Sequence, residues 1–583
     1  MRLPAAAKSR QLISGAFVNK AICAFIAALF FAAPVCAQSI TPSVLSMQDI
    51  ETYRGIFAAQ DSGEMGRADT MIASLENRVL LGYVLHQRYM GRYYVTQYQE
   101  LSTWLSEYSD LSDAERIYNL ALRKKTGGAR NPVSPSRVPW RGERFDHEAT
   151  EIEPMDSARG ERILRQLRDI AGNDDPSGVE RAAGELSAAS DLPQGDVDLL
   201  RAYAASSYLA EGRDAEAVRV AEAELARPSS VSDRLHWVAG LAAYRLGDFA
   251  VAANHFEAMS ADAMGHEDAR NCATGAFWAA RAYMRMGDPS KVVTLYERAA
   301  SKPFTFYGML ASRVLGREAG FAFEEPRLDA GTYGLLMDNP AAERAVALWQ
   351  IGRQDAVEIE LARAFGEITS SLDPAFAALA HTLGAPGLEL RAAETSAARG
   401  IFLTSLYPIP PYEPEGGYRL DQAMVLAVAR QESRFNPIAA SRSGARGLMQ
   451  IMPGTAAYIT KDPSLARGNN DRLDDPAYSM RLGEDYLQDL LHRQNGNLLG
   501  LAAAYNAGLG NLSRWLGEQE GNDDPILFIE SLPVPETRDY VKRVMINIWM
   551  YQLRFGEPPL GMDDAAAGKW PLYPMLDEVA VAQ

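Results

Sequence analysis

Residues 431–452 read Q-E-S-R-F-N-P-I-A-A-S-R-S-G-A-R-G-L-M-Q-I-M, and the C-terminal part of the chain is interpreted outward from this stretch. It overlaps the end of a helical pattern that runs over residues 421–434. Within that pattern Met424, Val428 and Glu432 are spaced i, i+4 and i+8, so they share one face of the predicted helix. The two apolar residues mark that face as the buried one. Glu432 is therefore expected to project from an apolar stripe.

Burial disfavours an ionised carboxylate, so this position should raise the pKa of Glu432 above its ordinary value of about 4.3. A carboxyl that stays partly protonated near neutral pH is suited to act as a general acid. Asn436-Pro437 should end the helix, which would leave Glu432 beside an opening. The alternative is a structural glutamate paired with an arginine or a backbone N–H, because structural ion pairs also perturb pKa values.

The segment that follows is rich in turn-forming residues and then becomes apolar. Residues 441–447 contain two serines and two glycines, which predicts a tight loop. Residues 448–452 form an apolar run that contains one amide, Gln450, which needs hydrogen-bond partners from the protein or from a ligand if it is buried. Thr455 is expected to cap the next helix.

Together these residues resemble a known family. The pattern E-S-x-F-N-P followed by S-x-x-G-A-x-G-L-M-Q-I-M-P-G-T-A is similar to the catalytic core of the soluble lytic murein transglycosylases, which are relatives of goose-type lysozyme. Two further blocks follow in the order that the family has: A-Y-N-A-G at residues 504–508 and I-E-S-L-P-V-P-E-T-R-D-Y-V at residues 529–541.

The resemblance implies a role for each matching position. Glu432 takes the place of the catalytic acid/base, and Ser441 the place of a serine near the reacting sugar. Gln450 and Met452 match residues that line the groove and hold the glycan. The remaining matches are expected to face the site or to bind the peptide-bearing sugar: Tyr505, Asn506, Glu536 and Arg538.

Without the resemblance, the sequence is also compatible with purely structural roles for some of these positions. Tyr505 at a helix end is also compatible with a half-buried core tyrosine. Glu536 is also compatible with a first-turn charge that the helix dipole favours. Asp474 and Asp475 are interpreted as capping residues, with Asp475-Pro476 opening a helix.

The motifs supply one convincing acid and no obvious second carboxylate, whereas ordinary glycosidases use two. The resemblance implies that the substrate's own 6-hydroxyl replaces water, which gives a 1,6-anhydromuramyl product from peptidoglycan without a metal or an organic cofactor. Two rival functions remain open. One is a hydrolytic muramidase on the same fold, and the other is a catalytically inactive protein that only binds glycan.

The N-terminus has the features of a secretory signal. Residues 1–37 combine four basic residues with an apolar stretch at 21–33 and a small-residue cleavage site before Gln38. The apolar stretch is short for a membrane span, so no integral membrane segment is expected after cleavage. An uncleaved anchor and a lipoprotein at Cys36 are the alternatives. The signal and the resemblance together predict the periplasm.

The net charge and the cysteines exclude further classes of protein. Removal of residues 1–37 takes away four positive charges and no negative ones, so the formal net charge changes from −17 to −17 − 4 = −21. Such a chain is a poor candidate for binding nucleic acid or anionic membranes. After cleavage only Cys272 remains, so no intrachain disulfide is expected. We find no metal-ligand motif, and the sequence identifies no protein partner.

The pattern of the whole chain predicts a predominantly all-α protein. Glycines that end helical segments recur at Gly212, Gly247 and Gly287, 35 and 40 residues apart, and resemble the turns of tetratricopeptide-like hairpins. The block Thr305-Phe306-Tyr307-Gly308 resembles a block of the same transglycosylase family. That family's ring-like solenoid, onto which a lysozyme-like α+β catalytic domain packs, is implied by the resemblance.

These features divide the chain into six parts. In order they are a signal peptide (1–37), an N-terminal helical region (38–126), a linker or surface loop (127–155), a helical-repeat superhelical domain (156–405), a lysozyme-like catalytic domain (406–560) and a C-terminal tail (561–583). The catalytic domain is expected to contain a small hairpin near residues 441–450, a helix at 498–507 that ends at Gly508, and a last helix that opens at Glu536 or Thr537.

Overall fold

The computed structural model describes residues 40–137, 141, 145, 155–188, 191–227, 232–261, 268–318, 321–468, 470–518 and 523–574. The expected signal peptide, its cleavage site and Cys36 lie outside these residues. All described residues belong to the compact unit 40–583. The domain boundaries inferred from the sequence stay predictions.

The described residues form 27 α-helices and no β-strand, which confirms the prediction of a predominantly α-helical chain. The first helices pack against one another around Trp104, whose indole N–H donates to the carbonyl of Gly82. They are α1 (Met47–Asp61), α2 (Met65–Ala73), α3 (Leu81–Met90), α4 (Tyr98–Tyr108) and α5 (Ala114–Lys124).

A stack of helical hairpins follows, in which each helix packs on its neighbours in the sequence. Its helices are α6 (Ala158–Ala171), α7 (Pro176–Ala188), α8 (Gln194–Ala210), α9 (Asp214–Leu225), α10 (Asp233–Leu246), α11 (Phe249–Ser260), α12 (Ala269–Met286) and α13 (Val292–Ala300). Gly247 and Gly287 cap α10 and α12 with φ angles of 80° and 72°, in the left-handed region that glycine adopts without a steric penalty. The hairpin turns predicted at these glycines are therefore confirmed.

The chain then comes back into contact with its N-terminal segment. The next helices are α14 (Phe306–Val314), α15 (Ala330–Met337), α16 (Pro340–Ile351), α17 (Gln354–Glu367), α18 (Asp373–Thr382) and α19 (Pro386–Ala397). The side-chain oxygen of Gln350 in α16 accepts from the backbone N–H groups of Val44 and Leu45, at 2.9 Å each. The hydroxyl of Tyr333 donates to the carbonyl of Ser43 at 2.9 Å. These bonds tie the N-terminal segment to helices about 300 residues downstream.

The C-terminal helices begin after a Pro-rich stretch. They are α20 (Gln422–Ser433), α21 (Pro453–Thr460), α22 (Pro476–Arg493), α23 (Leu498–Ala507), α24 (Leu509–Glu518), α25 (Pro525–Glu530), α26 (Pro535–Phe555) and α27 (Met562–Ala566). Asp475 caps α22 by accepting from the N–H of Tyr478, and α23 ends at Gly508, both as predicted. Helix α26 begins at Pro535, slightly before the expected Glu536, because proline is pre-organised for the first helical position.

The described residues of two segments without an assigned role pack against the helices. In the 127–155 segment, the carbonyl of Ser136 accepts from Arg363, and Arg141 donates to the carbonyl of Phe365 at 2.8 Å. In the C-terminal tail, the carbonyl of Pro571 accepts from the N–H of Leu498, and the N–H of Tyr573 donates to the carbonyl of Gly496. The described part of the tail thus adds backbone pairing beside the turn before α23.

A pair of histidines inside the repeats is expected to make the stability of the repeats depend on pH. The Nδ1 atoms of His236 and His255 are 3.1 Å apart, and burial together with the neighbouring imidazole lowers the pKa of His236 from 6.5 to about 4. Between these two pH values the unfolded chain therefore binds more protons at His236 than the folded chain does. The stability that comes from a neutral His236 is complete above pH 6.5 and is lost as pH falls towards 4. We expect the free energy of unfolding to fall by about 1–2 kcal/mol, a figure that already allows for solvent screening of the partly exposed ring.

Urea unfolding followed at several pH values between these limits measures the effect. His236→Gln should make the acid decline shallower, whereas the same substitution at the exposed His492 should leave it unchanged. An equally steep decline in the His236→Gln variant would show that the pair is not responsible.

Two further sequence features can be placed in this fold. Cys272, the one cysteine among the described residues, is a buried residue of α12. No helix in the described part of the chain combines the length and the apolar character that a membrane crossing requires.

Candidate active site

Helix α20 carries Glu432 to the edge of the C-terminal core. Asp421 caps the helix by accepting from the N–H of Ala423 at 2.8 Å. Met424 and Val428 are fully buried, so the apolar face inferred from the spacing is the packed face. The helix ends at Ser433, one residue before the predicted end at residue 434. The end is made by two successive residues with left-handed φ angles, Arg434 at 54° and Phe435 at 64°, just before Asn436-Pro437.

Glu432 lies one residue before this end and is half-buried. The hydroxyl of Tyr540 in α26 donates to Oε1 of Glu432 at 2.6 Å. Burial raises the pKa of Glu432 from 4.5 to about 7; the hydrogen bond from Tyr540 opposes the shift, and the charge of Glu536 adds to it. Both the protonated and the ionised form of this carboxyl are therefore populated near neutral pH. This suits a group that gives a proton in one step and takes one in another.

Tyr540 is a further candidate for the site, and the sequence pattern had not singled it out. Burial and the charge of Glu432 raise the pKa of its phenol, so it remains a hydrogen-bond donor. Its ring lies parallel to that of Tyr505, with centroids 6.4 Å apart. A signal for it was present in the sequence, because Tyr540 lies four residues after Glu536 and therefore on the same face of α26.

Tyr505 and Asn506, at the end of α23, are occupied by contacts within the protein. The hydroxyl of Tyr505 donates to the carbonyl of Met449 at 2.8 Å. The side-chain oxygen of Asn506 accepts from the hydroxyl of Thr537 in α26 at 2.7 Å. The phenol that donates to Glu432 thus belongs to Tyr540, whereas the phenol of Tyr505 fixes the backbone of the apolar run 448–452.

The loop between α20 and α21 is stabilised by hydrogen bonds to carbonyl groups of its own backbone. The expected hairpin is reduced to two isolated bridges that share one residue, Ala440 with Arg446 and Arg446 with Ile451. Gln450 has a left-handed φ of 46°, and its amide nitrogen donates to the carbonyls of Ala439 and Gly447. This arrangement directs the amide oxygen of Gln450 away from those carbonyls, and it interrupts the regular pairing that a hairpin needs.

Ser441 and Met452 belong to the same loop. The hydroxyl of Ser441 accepts from the N–H of Ala445 at 2.9 Å, which closes a tight turn on the surface. Met452 is 42% exposed and is the N-cap of α21. The prediction that Thr455 caps this helix is wrong, because Pro453 already takes the first helical position. Among the described contacts, neither Ser441 nor Met452 is hydrogen-bonded to Glu432.

Glu536 and Arg538 belong to the first turn of α26. Glu536 is exposed, and its charge acts on the pKa of Glu432, so the two carboxyls lie in one electrostatic environment. Arg538 donates to the carbonyl of Leu532 and so braces the turn between α25 and α26. The structure therefore brings Glu432, Tyr540 and Glu536 together.

The other acidic candidates have structural partners. Asp474 pairs with Arg446, whose guanidinium also donates to Asn470 at 3.0 Å. Asp475 caps α22, which agrees with its interpretation as a capping residue. Within the described ranges, no group of three or more histidine, cysteine, aspartate or glutamate side chains is arranged to hold a metal ion.

Residues 411–528 match the family model described as the transglycosylase SLT domain. These residues of the chain form a transglycosylase SLT domain. The match contains Glu432 and the loop that carries Gln450, and it ends before α26, so Tyr540 and Glu536 lie just beyond it.

Curated relatives share this part of the chain. The soluble lytic murein transglycosylase of Escherichia coli K12 is 40% identical over 154 residues, which are 26% of this chain and 24% of that protein. The enzyme of the same name from Salmonella typhimurium LT2 is 40% identical over 151 residues, 26% of this chain and 23% of that protein. Membrane-bound lytic murein transglycosylase C of Edwardsiella ictaluri is 34% identical over 116 residues, 18% of this chain and 32% of that protein. The similarity to the first two thus spans about a quarter of their length.

Solved structures extend the likeness of fold beyond the SLT domain. The 70 kDa soluble lytic transglycosylase of E. coli superimposes with a TM-score of 0.53 at 18% identity, over 91% of this chain and all of that one. A lytic transglycosylase Slt from Pseudomonas aeruginosa superimposes with a TM-score of 0.54 at 18% identity, over 88% of this chain and 90% of that one. The helical hairpins and the SLT domain therefore share one overall fold with these proteins.

Proposed function

We propose that this protein is a lytic transglycosylase of peptidoglycan. It cleaves the β-1,4 bond between N-acetylmuramic acid and N-acetylglucosamine and leaves a 1,6-anhydromuramyl end without consuming water. The observation that carries the proposal is the Glu432 carboxyl, whose pKa is raised to about 7 by burial and which accepts a hydrogen bond from Tyr540. The SLT domain and relatives named lytic murein transglycosylases support it.

In this mechanism one carboxyl performs both proton transfers. Protonated Glu432 donates its proton to the glycosidic oxygen, the bond from that oxygen to C1 breaks, and the muramyl N-acetyl group stabilises the positive charge at C1. The resulting carboxylate then removes the proton of the 6-hydroxyl, whose oxygen bonds to C1. The attack is intramolecular, so holding the 6-hydroxyl next to C1 makes it faster than attack by a separate nucleophile. Tyr540 stabilises the carboxylate between the two steps.

The other side chains bind and orient the glycan. Gln450 presents its amide oxygen to a sugar hydroxyl or N–H, since its nitrogen is occupied by two carbonyls. Met452 offers exposed apolar surface to a sugar face. Four further side chains contact the substrate by charge or hydrogen bonding, Asn506 through its amide nitrogen because its oxygen accepts from Thr537: Ser441, Asn506, Glu536 and Arg538.

The helical part and the cellular location complete the proposal. The repeats, residues 156–405, orient glycan strands towards the catalytic domain, residues 406–560. The protein acts in the periplasm after removal of residues 1–37, and its substrate is peptidoglycan. No nucleic acid takes part, and the mechanism uses no metal or organic cofactor.

Two rivals differ in what they release. A muramidase would use water, and Glu536 is the second carboxylate in the environment of Glu432 that could position it. A glycan-binding scaffold would sediment with peptidoglycan and release nothing. Incubating the chain from Gln38 onward with purified peptidoglycan distinguishes the three functions. Only the proposed enzyme releases soluble fragments that are lighter by one water than the fragments a muramidase releases.

Tyr540→Phe is expected to change the pH dependence of cleavage. Without the phenol the carboxylate form of Glu432 loses a stabilising bond, so the pKa of Glu432 rises further. The initial step needs the protonated acid, so the alkaline limb of kcat/KM should move to higher pH by about one unit, and kcat should fall about tenfold. Rates of fragment release across pH measure both effects.

Tyr486→Phe is the matched control for that variant. Tyr486 also lies in the aromatic cluster, with its ring centroid 5.3 Å from that of Tyr505, but its hydroxyl does not bond to Glu432. An alkaline limb that moves equally in both variants, or in neither, would contradict the role given to Tyr540.

A further inference from the structure

Helix α26 presents two functional faces. Tyr540 points from one face to Glu432. Asp539 and Lys542 are spaced i, i+3 and share the other face, which is turned towards the helical repeats. Both charged residues are almost completely buried, with 3% and 2% of their surface exposed. A displacement of this helix would therefore act on the catalytic contact and on a buried charge cluster at once.

The buried charges pair with one another and are contacted by two residues of the helical repeats. The ammonium group of Lys542 lies 3.2 Å from Oε1 of Glu530 and 3.8 Å from Oδ1 of Asp539. Arg270 in α12 donates to Oδ1 of Asp539 at 3.0 Å, and the hydroxyl of Tyr307 in α14 donates to Glu530. The two cations balance the two carboxylates. Because unpaired charges are costly in such an environment, the cluster favours one arrangement of α12, α14 and α26.

The Thr305–Gly308 block explains how α14 reaches this position. Thr305 caps the helix by accepting from the N–H of Gly308 at 3.0 Å. Phe306 stacks on Trp549 of α26, with centroids 5.5 Å apart and an angle of 16° between the planes. A β-carbon at Gly308 would lie 1.9 Å from the carbonyl oxygen of Lys302, so only glycine permits this turn. The block thus places the phenol of Tyr307 directly on the charge cluster.

We propose that Tyr307 and Arg270 are positioning residues, through which the helical repeats hold α26 where Tyr540 donates to Glu432. The inference rests on the proposed function and adds to it a role for the repeats in setting the reactivity of the acid. A hydrogen bond of 2.6 Å weakens steeply with displacement and misalignment, so a small shift of α26 would release the carboxylate. Glu432 also faces the charge of Glu536 from α26 and the phenol of Tyr505 from α23.

Tyr307→Phe tests the proposal with little disturbance of packing. The ring keeps its buried position, and Glu530 keeps Lys542 as its partner. The ion pair between Arg281 and Asp524 continues to join α12 to the start of α25. The matched control is Arg313→Gln, which removes an exposed ion pair between the same helix α14 and Asp563 in α27.

The first readout does not require activity. An infrared pH titration of the carboxyl band, with the Glu432→Gln chain as the baseline, follows protonation of Glu432 alone. In Tyr307→Phe we expect the midpoint to move to higher pH by about half a unit or more, in the direction of the Tyr540→Phe value. Arg270→Gln should shift it in the same direction. Arg313→Gln should leave it unchanged.

The second readout is the alkaline limb of kcat/KM for peptidoglycan cleavage, which should move with the infrared midpoint. In the double variant Tyr307→Phe/Tyr540→Phe no further shift is expected beyond that of Tyr540→Phe, because both changes act through one hydrogen bond. Additive shifts, an unchanged midpoint in Tyr307→Phe, or an equal shift in Arg313→Gln would overturn the proposal. If the midpoints shift as expected but the unaltered chain does not cleave peptidoglycan, the proposed function fails and the positioning role stands.

Discussion

Replacement of Glu432 by glutamine is expected to lower peptidoglycan cleavage by about a thousandfold, while binding to peptidoglycan is retained. The amide has nearly the shape of the carboxyl and can still accept the hydrogen bond from Tyr540, but it can neither give nor take the proton that the reaction moves. General acid–base catalysis by one positioned group contributes about 10²–10⁴ in rate, and here the same group serves both steps. Release of soluble fragments and co-sedimentation with peptidoglycan measure the two properties.

Glu358→Gln provides the control for that substitution. Glu358 in α17 is another carboxyl whose pKa is raised by burial, and it lies outside the candidate site. Its replacement should leave the cleavage rate unchanged. If Glu432→Gln cleaved peptidoglycan at the rate of the unaltered chain, the assignment of the acid would be wrong.

Lys542→Met is expected to lower the free energy of unfolding by about 3 kcal/mol or more. The side chain is 2% exposed and lies between Glu530 and Asp539. Removing one partner of a buried ion pair leaves an uncompensated charge, which typically costs about 3–5 kcal/mol. Urea unfolding monitored by circular dichroism measures the loss.

A second substitution separates the charge effect from simple loss of packing. Lys542→Met combined with Glu530→Gln removes one cation and one anion, so it should recover much of the lost stability. If the double variant were no more stable than Lys542→Met alone, the cost would come from packing, and the charge cluster would not be what holds α26 in place.

Features of the fold that depend on neighbouring residues could be predicted from the sequence. The helix that carries Glu432 follows from spacing alone, because the i, i+4, i+8 pattern fixes which side chains share a face. The caps at Gly247, Gly287 and Asp475 follow from local conformational preferences. The raised pKa of Glu432 follows from its place on a buried face, although its value depends on Tyr540 and Glu536.

Features that depend on distant pairs could not be predicted in the same way. Tyr540 reaches Glu432 across 108 residues, and no local pattern reports that contact. The link of Tyr307 to Glu530 spans 223 residues and joins two blocks that the sequence shows only separately. The expected hairpin fails for a local reason that composition does not reveal, since Gln450 adopts a left-handed φ held by two backbone carbonyls.

The most direct test of the account is digestion of purified peptidoglycan in water enriched in heavy oxygen, with mass spectrometry of the released muropeptides. If the 6-hydroxyl of the sugar attacks C1, the products end in anhydromuramyl groups that carry no heavy oxygen. They should be absent when Glu432→Gln replaces the unaltered chain. Products with reducing ends that carry one heavy oxygen atom would show that water attacks, and would contradict the proposed transglycosylase mechanism.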